Sequence, residues 1–328
     1  MAIGWIRAWA EEYDRLFAGE FATPNARAEF RRQFGAELRD APADDAAVVR
    51  RLVWDREVEL PDGLSSGPWT RVRVDGDEGF IVSAHLVEIA FVDRGRGRDP
   101  YTASLVRGNG EEIDLLWGDL VQIRRREGDT CYVRARGVNG RIDTDRLTAT
   151  PLLEVYFIDV GQGDGVLVRT PEGRHLLVDG GLPRSNQMTG KNAADFVDWK
   201  FFSDYGHHAI DLDAVVASHC DYDHYGGLWD LVRHDASRDD ELDVLSVRIG
   251  AFYHAGLSRW EERSDSAFPH RDRLGPNDDG WFVRLLEDRA DADAAIVNGA
   301  DEELQGYWKW FIGDIIERNA DVAIERLG

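Results

Sequence analysis

The chain of 328 residues has little cysteine and no apolar run long enough to span a membrane. Its two cysteines, Cys131 and Cys220, lie far apart, so the sequence predicts no disulfide framework and favours a reducing compartment. The first residues lack the basic-then-apolar pattern of a secretory signal. We therefore expect a soluble, cytoplasmic protein that makes no use of a membrane.

Positive charge is also scarce. Lys and Arg number 39 against 62 Asp and Glu, which gives a formal net charge of −23. A field of this sign repels a phosphate backbone and argues against broad, non-specific nucleic-acid binding. It does not exclude a small anionic substrate, because bound metal ions can invert the local field. The apolar content of 43% indicates a folded chain, and the length allows two or three domains.

The amino-terminal region, residues 1–47, is predicted to be helical. Apolar residues recur there at helical spacing, with Pro24 as an interruption: Ile3, Ile6, Ala10, Tyr13, Leu16, Phe17, Phe30, Phe34 and Leu38. We expect a helical hairpin packed against the rest of the chain.

An internal repeat follows. Residues 72–86 align without gaps on residues 133–147, and six of the fifteen positions are identical. Each copy is predicted to form a strand, a glycine turn and a second strand. We expect two small β-barrels, at 48–95 and 96–150, and they resemble bacterial SH3-like domains. Trp69 and Phe80 are either groove residues of the first barrel or ordinary core residues.

From about residue 151 the pattern becomes that of a layered α/β domain. Strands are predicted at 153–160, 166–170 and 175–181, and a helix at 192–202. A β-branched run at 214–217 then leads into a stretch dense in possible ligands. Its four candidate metal ligands are His219, Asp221, Asp223 and His224. Two imidazoles and two carboxylates at one strand end suit a one- or two-metal hydrolytic site.

Three segments carry a resemblance to a known family: residues 157–164, 177–181 and 218–227. In this order they resemble the metallo-β-lactamase superfamily and, more narrowly, the hydrolase domain of ComEC-type competence proteins. The superfamily usually has His at the second ligand position, whereas the competence branch has Asp, as here at Asp221. The resemblance implies the amino-terminal half of an αββα sandwich. The whole chain is then an α+β multidomain protein.

The resemblance also implies roles for individual residues. His219 and Asp221 would hold one divalent metal, and Asp223 with His224 would hold the second. Asp221 and Asp223 are also the expected catalytic residues. Two further residues would lie outside the ligand set: Asp179, which would orient it, and Asp164, near the pocket mouth.

The family completes its site with later motifs, a Gly-Asp strand end and a His-His-Gly turn, which do not follow Gly227 here. The tail is predicted to contain a strand at 245–252, a loop with His254 and His270, and a helix at 302–317. We expect residues 151–328 to form an incomplete hydrolase domain; a degenerate but self-contained domain is the alternative. His254 is either a substitute ligand or an ordinary loop histidine.

The leading functional hypothesis is a metal-dependent hydrolase that uses two Zn or Mn ions. The carboxylate at Asp221 hardens the site relative to a pure-histidine one, and hard ions prefer phosphate oxygens. We therefore expect a phosphodiester substrate, either a nucleotide or a short single strand. The competing hypothesis is a non-catalytic module in which the SH3-like barrels dock a protein partner.

Overall fold

The computed structural model describes residues 2–7, 35–95, 100–233, 241–244, 246–262, 274–300 and 302–327. It is a mixed α/β protein, rich in strands, with two main sheets and few helices in these residues. The strands are β1 Ala2–Ile6, β2 Gly35–Arg39, β3 Val48–Val53, β4 Glu57–Leu60, β5 Trp69–Val74, β6 Asp77–Val82, β7 Leu86–Val92, β8 Thr102–Val106, β9 Glu112–Leu116, β10 Leu120–Glu127, β11 Thr130–Ala135, β12 Val138–Asp143, β13 Leu147–Thr148, β14 Glu154–Phe157, β15 Val166–Arg169, β16 His175–Val178, β17 Ala209–Ala217, β18 Ser246–His254, β19 Asn277–Asp278, β20 Trp281–Phe282 and β21 Ala323–Arg326.

Within the described residues, the α-helices lie in the carboxyl-terminal half of the chain. They are α1 Ala193–Asp198, which continues as a π-helix over Trp199–Tyr205, α2 Tyr222–Val232, α3 Arg289–Ala295 and α4 Gly306–Arg318. The helices predicted at 192–202 and 302–317 are therefore confirmed within a few residues. None of the helices in the described residues is long and apolar enough to cross a membrane.

The first sheet contains the internal repeat. Its strand order is β3-β2-β6-β5-β4-β1-β7-β10-β11-β12-β8-β9, and β13 pairs with β7. The two copies follow the same order, β3-β2-β6-β5-β4 and β9-β8-β12-β11-β10. Strand β1 pairs with β4 and β7, and β7 in turn pairs with β10 and β13. Strand β7, which lies between the two copies in the sequence, therefore joins them within one sheet.

Each copy also contains a hairpin of the same kind. Strands β5 and β6 turn at Asp75–Gly76, and β11 and β12 turn at Arg136–Gly137, 61 positions later. All four turn residues have positive φ (51° and 88°, then 48° and 77°), as two-residue turns between twisted strands require. Each copy also has its own buried apolar cluster. The strand–turn–strand repeat of residues 72–86 and 133–147 is confirmed, whereas the two small barrels remain a prediction.

The amino-terminal helix prediction is wrong where the structure can be compared with it. Residues 2–6 and 35–39 are the strands β1 and β2 of the first sheet. The three-residue spacing of Ile3 and Ile6 suggested a helix, but β1 is paired along both edges. In β2, Ala36 and Leu38 are buried in strict alternation. Residues 8–34, which carry most of the predicted helical pattern, lie outside the described residues.

The second sheet positions the candidate site. Its order is β14-β15-β16-β17-β18-β21; the first three strands are antiparallel and the last four parallel, with β16 in both groups. Helices α1, α2 and α4 contribute side chains to the same buried cluster as the sheet. Side chains at its β14 edge remain exposed, among them Leu153, Val155 and Phe157.

Polar contacts join the two sheets. Arg169 of β15 is completely buried and lies 3.4 Å from Glu57 of β4 and 3.3 Å from Glu154 of β14. The side-chain amide of Gln122 donates to the carbonyl of Tyr205 at the end of the π-helix. The repeat region therefore packs directly on the domain that carries the candidate site.

Candidate metal centre

The candidate centre forms where β16 and β17 end side by side. The strands are parallel, with Val178 opposite Val216, and the Asp179 amide donates to the Val216 carbonyl at 2.9 Å. Asp179 directly follows β16, and Ser218 and His219 directly follow β17. Carboxyl ends of neighbouring parallel strands are where open α/β sheets gather functional side chains.

Asp179 is the buried acceptor at this edge. Its side chain accepts the Ser218 amide (2.8 Å), the Ser218 hydroxyl (2.6 Å) and Nδ1 of His224 (2.8 Å). An ionised carboxylate only accepts, so the proton of the neutral His224 ring lies on Nδ1. The lone pair of Nε2 is thereby available to a ligand, as in carboxylate–histidine–metal arrangements.

The other three predicted ligands lie around this pair. The rings of His219 and His224 have centroids 3.7 Å apart, and His219 Nε2 lies 3.6 Å from Asp221 Oδ2. Asp223 Oδ1 lies 3.9 Å from His224 Nε2. The structure therefore brings all four side chains named from the sequence into one patch.

Asp164 also reaches this patch. One ligand atom each from Asp164, Asp179 and His224 lie within 4.8 Å of one another. Asp164 is exposed, on the turn between β14 and β15, whereas Asp179 is buried. Sequence reasoning placed Asp164 only near the pocket mouth; the structure makes it a possible ligand.

Two helical glycines allow α2 to approach this edge. A Cβ on Gly227 would lie 1.9 Å from the Gly180 carbonyl oxygen, and one on Gly226 would lie 2.2 Å from Pro183 Cδ. Helix α2 therefore packs its backbone directly against the loop that follows Asp179. This close contact holds Asp223 and His224, in the first turn of α2, beside the strand ends.

Arg259 is a residue of the site that sequence reasoning missed. One of its terminal nitrogens lies 2.5 Å from Oδ1 of Asp221, at the amino-terminal end of α2. The two residues are 38 positions apart, and nothing in the local pattern around Arg259 signals the contact. Asp221 is thus shared between the positive guanidinium and the His219 ring.

His254 does not join the ligands named above. It ends β18, is 1% exposed, and its Nδ1 accepts the Gly256 amide at 3.0 Å. Burial lowers the pKa of His254 to about 4, so the ring is neutral near pH 7. It is paired opposite Ala217 in the sheet, so it is a buried residue at a strand end and not the loop histidine that was one of the two predictions. His270 lies outside the described residues.

A cavity of about 410 Å³ opens beside the centre. Cys220 and Arg259 line the cavity next to the ligand patch, and the rest of the lining comes from aromatic residues of α2 and α4 together with Gln305 and Gly306. Burial raises the pKa of the Cys220 thiol to about 11, so it is a neutral packing residue.

The residues present fit a divalent metal ion. Imidazole nitrogens and carboxylate oxygens are the donors that zinc and manganese accept in proteins. The hydrogen bond between Asp179 and His224 is already made, so that ring is held with Nε2 as its acceptor.

A comparison with known protein families matches the part of the chain that contains the candidate centre. Residues 158–237 match the family model described as the Metallo-beta-lactamase superfamily. Over these residues the chain is similar to the metallo-β-lactamase superfamily, a class that commonly binds divalent metals. No curated protein matches the chain.

The similarity to solved structures is weak. The chain is similar at 14% identity to NlpC1 and NlpC2 from Trichomonas vaginalis, with TM-scores of 0.18 and 0.17. The matches cover 45% of this chain, and 45% and 47% of those chains. The chain therefore spans less than half the length of these structures, and the likeness carries no argument about fold or function.

Proposed function

We propose that the domain around residues 158–237 is a metal-dependent hydrolase. The observation that carries this proposal is the bonded set of Asp179, Ser218 and His224, which directs an imidazole Nε2 into a patch with His219 and two further carboxylates. A divalent ion bound there would supply an activated water and positive charge for the developing oxyanion.

The chain's own residues prepare that chemistry. The Ser218 hydroxyl gives its proton to Asp179, so Nδ1 of His219, 3.0 Å from the same oxygen, is the donor of that contact. This leaves the lone pair of His219 Nε2 for ligation. The Gln162 side chain donates to Oδ2 of Asp223 at 3.3 Å and steadies that carboxylate. We assign His219, Asp221, Asp223 and His224 as the ligands, Asp179 as the positioning residue, and Asp164 as an additional carboxylate of the patch.

A phosphodiester is the substrate class that we favour. The donor set is mixed imidazole and carboxylate, and carboxylate-rich sites suit Mn²⁺, whose preference for oxygen extends to phosphate. Asp221 at the second ligand position also agrees with the resemblance to the competence branch. With two ions bound, each carboxylate of the Asp221 and Asp223 pair would serve one ion.

The alternative is a binding module. The repeat region has two copies with the same strand order and separate cores, and we infer that each is an SH3-like barrel. In that case the repeats would bind a protein partner and the ligand patch would hold no metal.

Metal content distinguishes the two proposals. We expect the purified chain, loaded with Mn²⁺ or Zn²⁺ and desalted, to retain stoichiometric metal, and the His219→Ala and His224→Ala variants to lose it. Elemental analysis makes the measurement. Absence of bound metal in the folded wild-type chain would favour the binding module. Hydrolysis of bis(p-nitrophenyl) phosphate, lost in Asp223→Asn, would then test the phosphodiester class.

A further inference from the structure

The cavity beside the metal centre has an aromatic wall. The Tyr222 and Tyr307 rings are stacked with centroids 5.1 Å apart, and Tyr307 lies 5.4 Å from Trp310. Although they belong to this cluster, Tyr307 is 51% exposed and Trp310 is 57% exposed. Two large aromatic rings therefore present open surface to the cavity region instead of to the core.

The lining also contains polar groups. Of the described residues that line the cavity, only Arg259 carries a charge. Trp308, which also lines it, is 1% exposed, and within the described chain its indole Nε1 has no hydrogen-bond partner. A buried donor without an acceptor is uncommon, because leaving it unpaired costs free energy. The cavity therefore combines a cation and an unpaired donor with stackable rings.

The charge of Arg259 contrasts with the rest of the molecule. The chain carries a net charge of −23, and a small anion would be repelled from most of its surface. Arg259 places a cation in the cavity lining, and its ion pair with Asp221 fixes its position between the ligand patch and the aromatic wall. A guanidinium held in this way is well suited to a phosphate or carboxylate group.

We propose that this cavity binds a ligand in which an anionic group is joined to a flat ring, with the ring stacked on Tyr307 and Trp310 and the anion held by Arg259. Nucleotides have this chemistry, whereas sugar phosphates, whose ring is saturated, supply the anion without the flat ring. As a substrate subsite the assignment rests on the proposed hydrolase function; as a binding site it does not. The anion would lie on the Asp221 side, next to the candidate metal centre.

The test is equilibrium binding to the full chain in the presence of EDTA, so that metal plays no part. Three probes separate the contributions: adenosine 5′-monophosphate, adenosine, and ribose 5-phosphate. We expect saturable binding of the monophosphate that is tighter than binding of either fragment. Trp310→Ala should weaken monophosphate binding roughly tenfold, the scale of one stacking contact, and should leave ribose 5-phosphate unaffected.

Three further variants complete the design. Arg259→Gln should weaken the monophosphate and ribose 5-phosphate but not adenosine, and Arg259→Lys, which keeps the charge, should recover part of the binding. Trp117→Ala is the matched control, because Trp117 is a half-exposed tryptophan of the first sheet. Circular dichroism and thermal unfolding verify that each variant folds.

The outcomes are distinct. A monophosphate that binds no better than adenosine, or that binds equally to Trp310→Ala and wild type, would overturn the subsite. Ribose 5-phosphate that binds as tightly as the monophosphate would show that the flat base is not recognised and would also overturn it. Because no metal is present, these results are independent of whether the hydrolase proposal succeeds.

Discussion

Asp179 Oδ2 lies 2.8 Å from Nδ1 of His224, and this contact ties the end of β16 to the first turn of α2. Asp179 has φ of +54°, in the left-handed region, and its carboxylate also accepts two hydrogen bonds from Ser218. One side chain therefore links three segments of the candidate centre. The strained backbone at Asp179 is consistent with a residue held for function.

Replacing that carboxylate should weaken metal binding. Asn is the appropriate substitution, because it tolerates the left-handed conformation of residue 179. Asp179→Asn removes the charge that orients His224, so we expect the affinity for Mn²⁺ or Zn²⁺ to fall by about 10–100-fold. Metal titration by calorimetry measures this. Asp159→Asn, at an exposed carboxylate in the neighbouring loop, is the control and should leave affinity unchanged; an equal loss there would contradict the assigned role.

Substitution by alanine should have opposite effects on stability at two helical glycines, one in contact with the Gly180 loop and one in open space. Gly227→Ala would place a Cβ 1.9 Å from a backbone oxygen, so it should destabilise the fold by about 1–3 kcal/mol or more. Gly313 lies in α4 with nothing within 4 Å of its Cβ position, so Gly313→Ala should stabilise by about 0.5–1 kcal/mol. Urea unfolding of both variants is the measurement, and a neutral Gly227→Ala would show that α2 does not pack as described.

The buried Arg169 should stabilise the packing of the first sheet against the second. Its removal leaves Glu57 and Glu154 without their buried cation, and Arg169→Met should destabilise the protein by about 3–5 kcal/mol at neutral pH. Arg71→Met, at an exposed ion pair with Glu78, should change stability little. Thermal and urea unfolding measure both.

This loss should also depend on pH. Burial raises the pKa of Glu57, and the Arg169 guanidinium opposes that rise. The folded protein therefore binds the Glu57 proton more tightly than the unfolded chain does, so ionisation costs stability as pH rises through the folded pKa. Without Arg169 the cost increases, and the Arg169→Met deficit should be smaller at pH 5 than at pH 7. A deficit that grows on acidification would contradict this account.

Local signals in the sequence account for the parts of the fold that were predicted correctly. The repeat was visible because each hairpin needs residues with positive φ at the same two positions, which Gly76 and Gly137 partly supply. The ligand patch was visible because four ligand-type side chains directly follow one strand. In both cases the informative residues lie within a few positions of one another.

The remaining features depend on contacts between distant segments. Strand β1 is paired with β4 and β7, more than fifty residues away, and its short apolar pattern fits a helix equally well. Arg259 reaches Asp221 only because β17 and β18 are neighbours in the sheet. The cavity likewise requires α4 to pack against α2. No local periodicity encodes these relationships.

Buried histidines predict a loss of stability in mild acid. Burial lowers the pKa of His85 and of His254 to about 4, whereas a histidine in the unfolded chain titrates near 6.5. The unfolded chain therefore binds more protons between these values, so the contribution of each neutral ring is present above pH 6.5 and is lost as pH falls towards 4. We expect the free energy of unfolding to fall by several kcal/mol over this range. Urea unfolding at a series of pH values measures the slope.

His254→Asn isolates the share of one ring in that loss. Asn offers an oxygen near the position of Nδ1, which accepts the Gly256 amide, but it does not titrate in this range. At pH 7.5 the wild-type ring is neutral, so the difference between variant and wild type reports only lost packing. On acidification we expect the two stabilities to converge. Only the wild type loses stability through residue 254, because its unfolded chain takes up a proton there that the buried ring does not. Parallel pH profiles would contradict this account, because they would mean that His254 is protonated as readily in the folded protein as in the unfolded chain. Burial to 1% exposure and the nearby charge of Arg326 both oppose protonation of the folded ring.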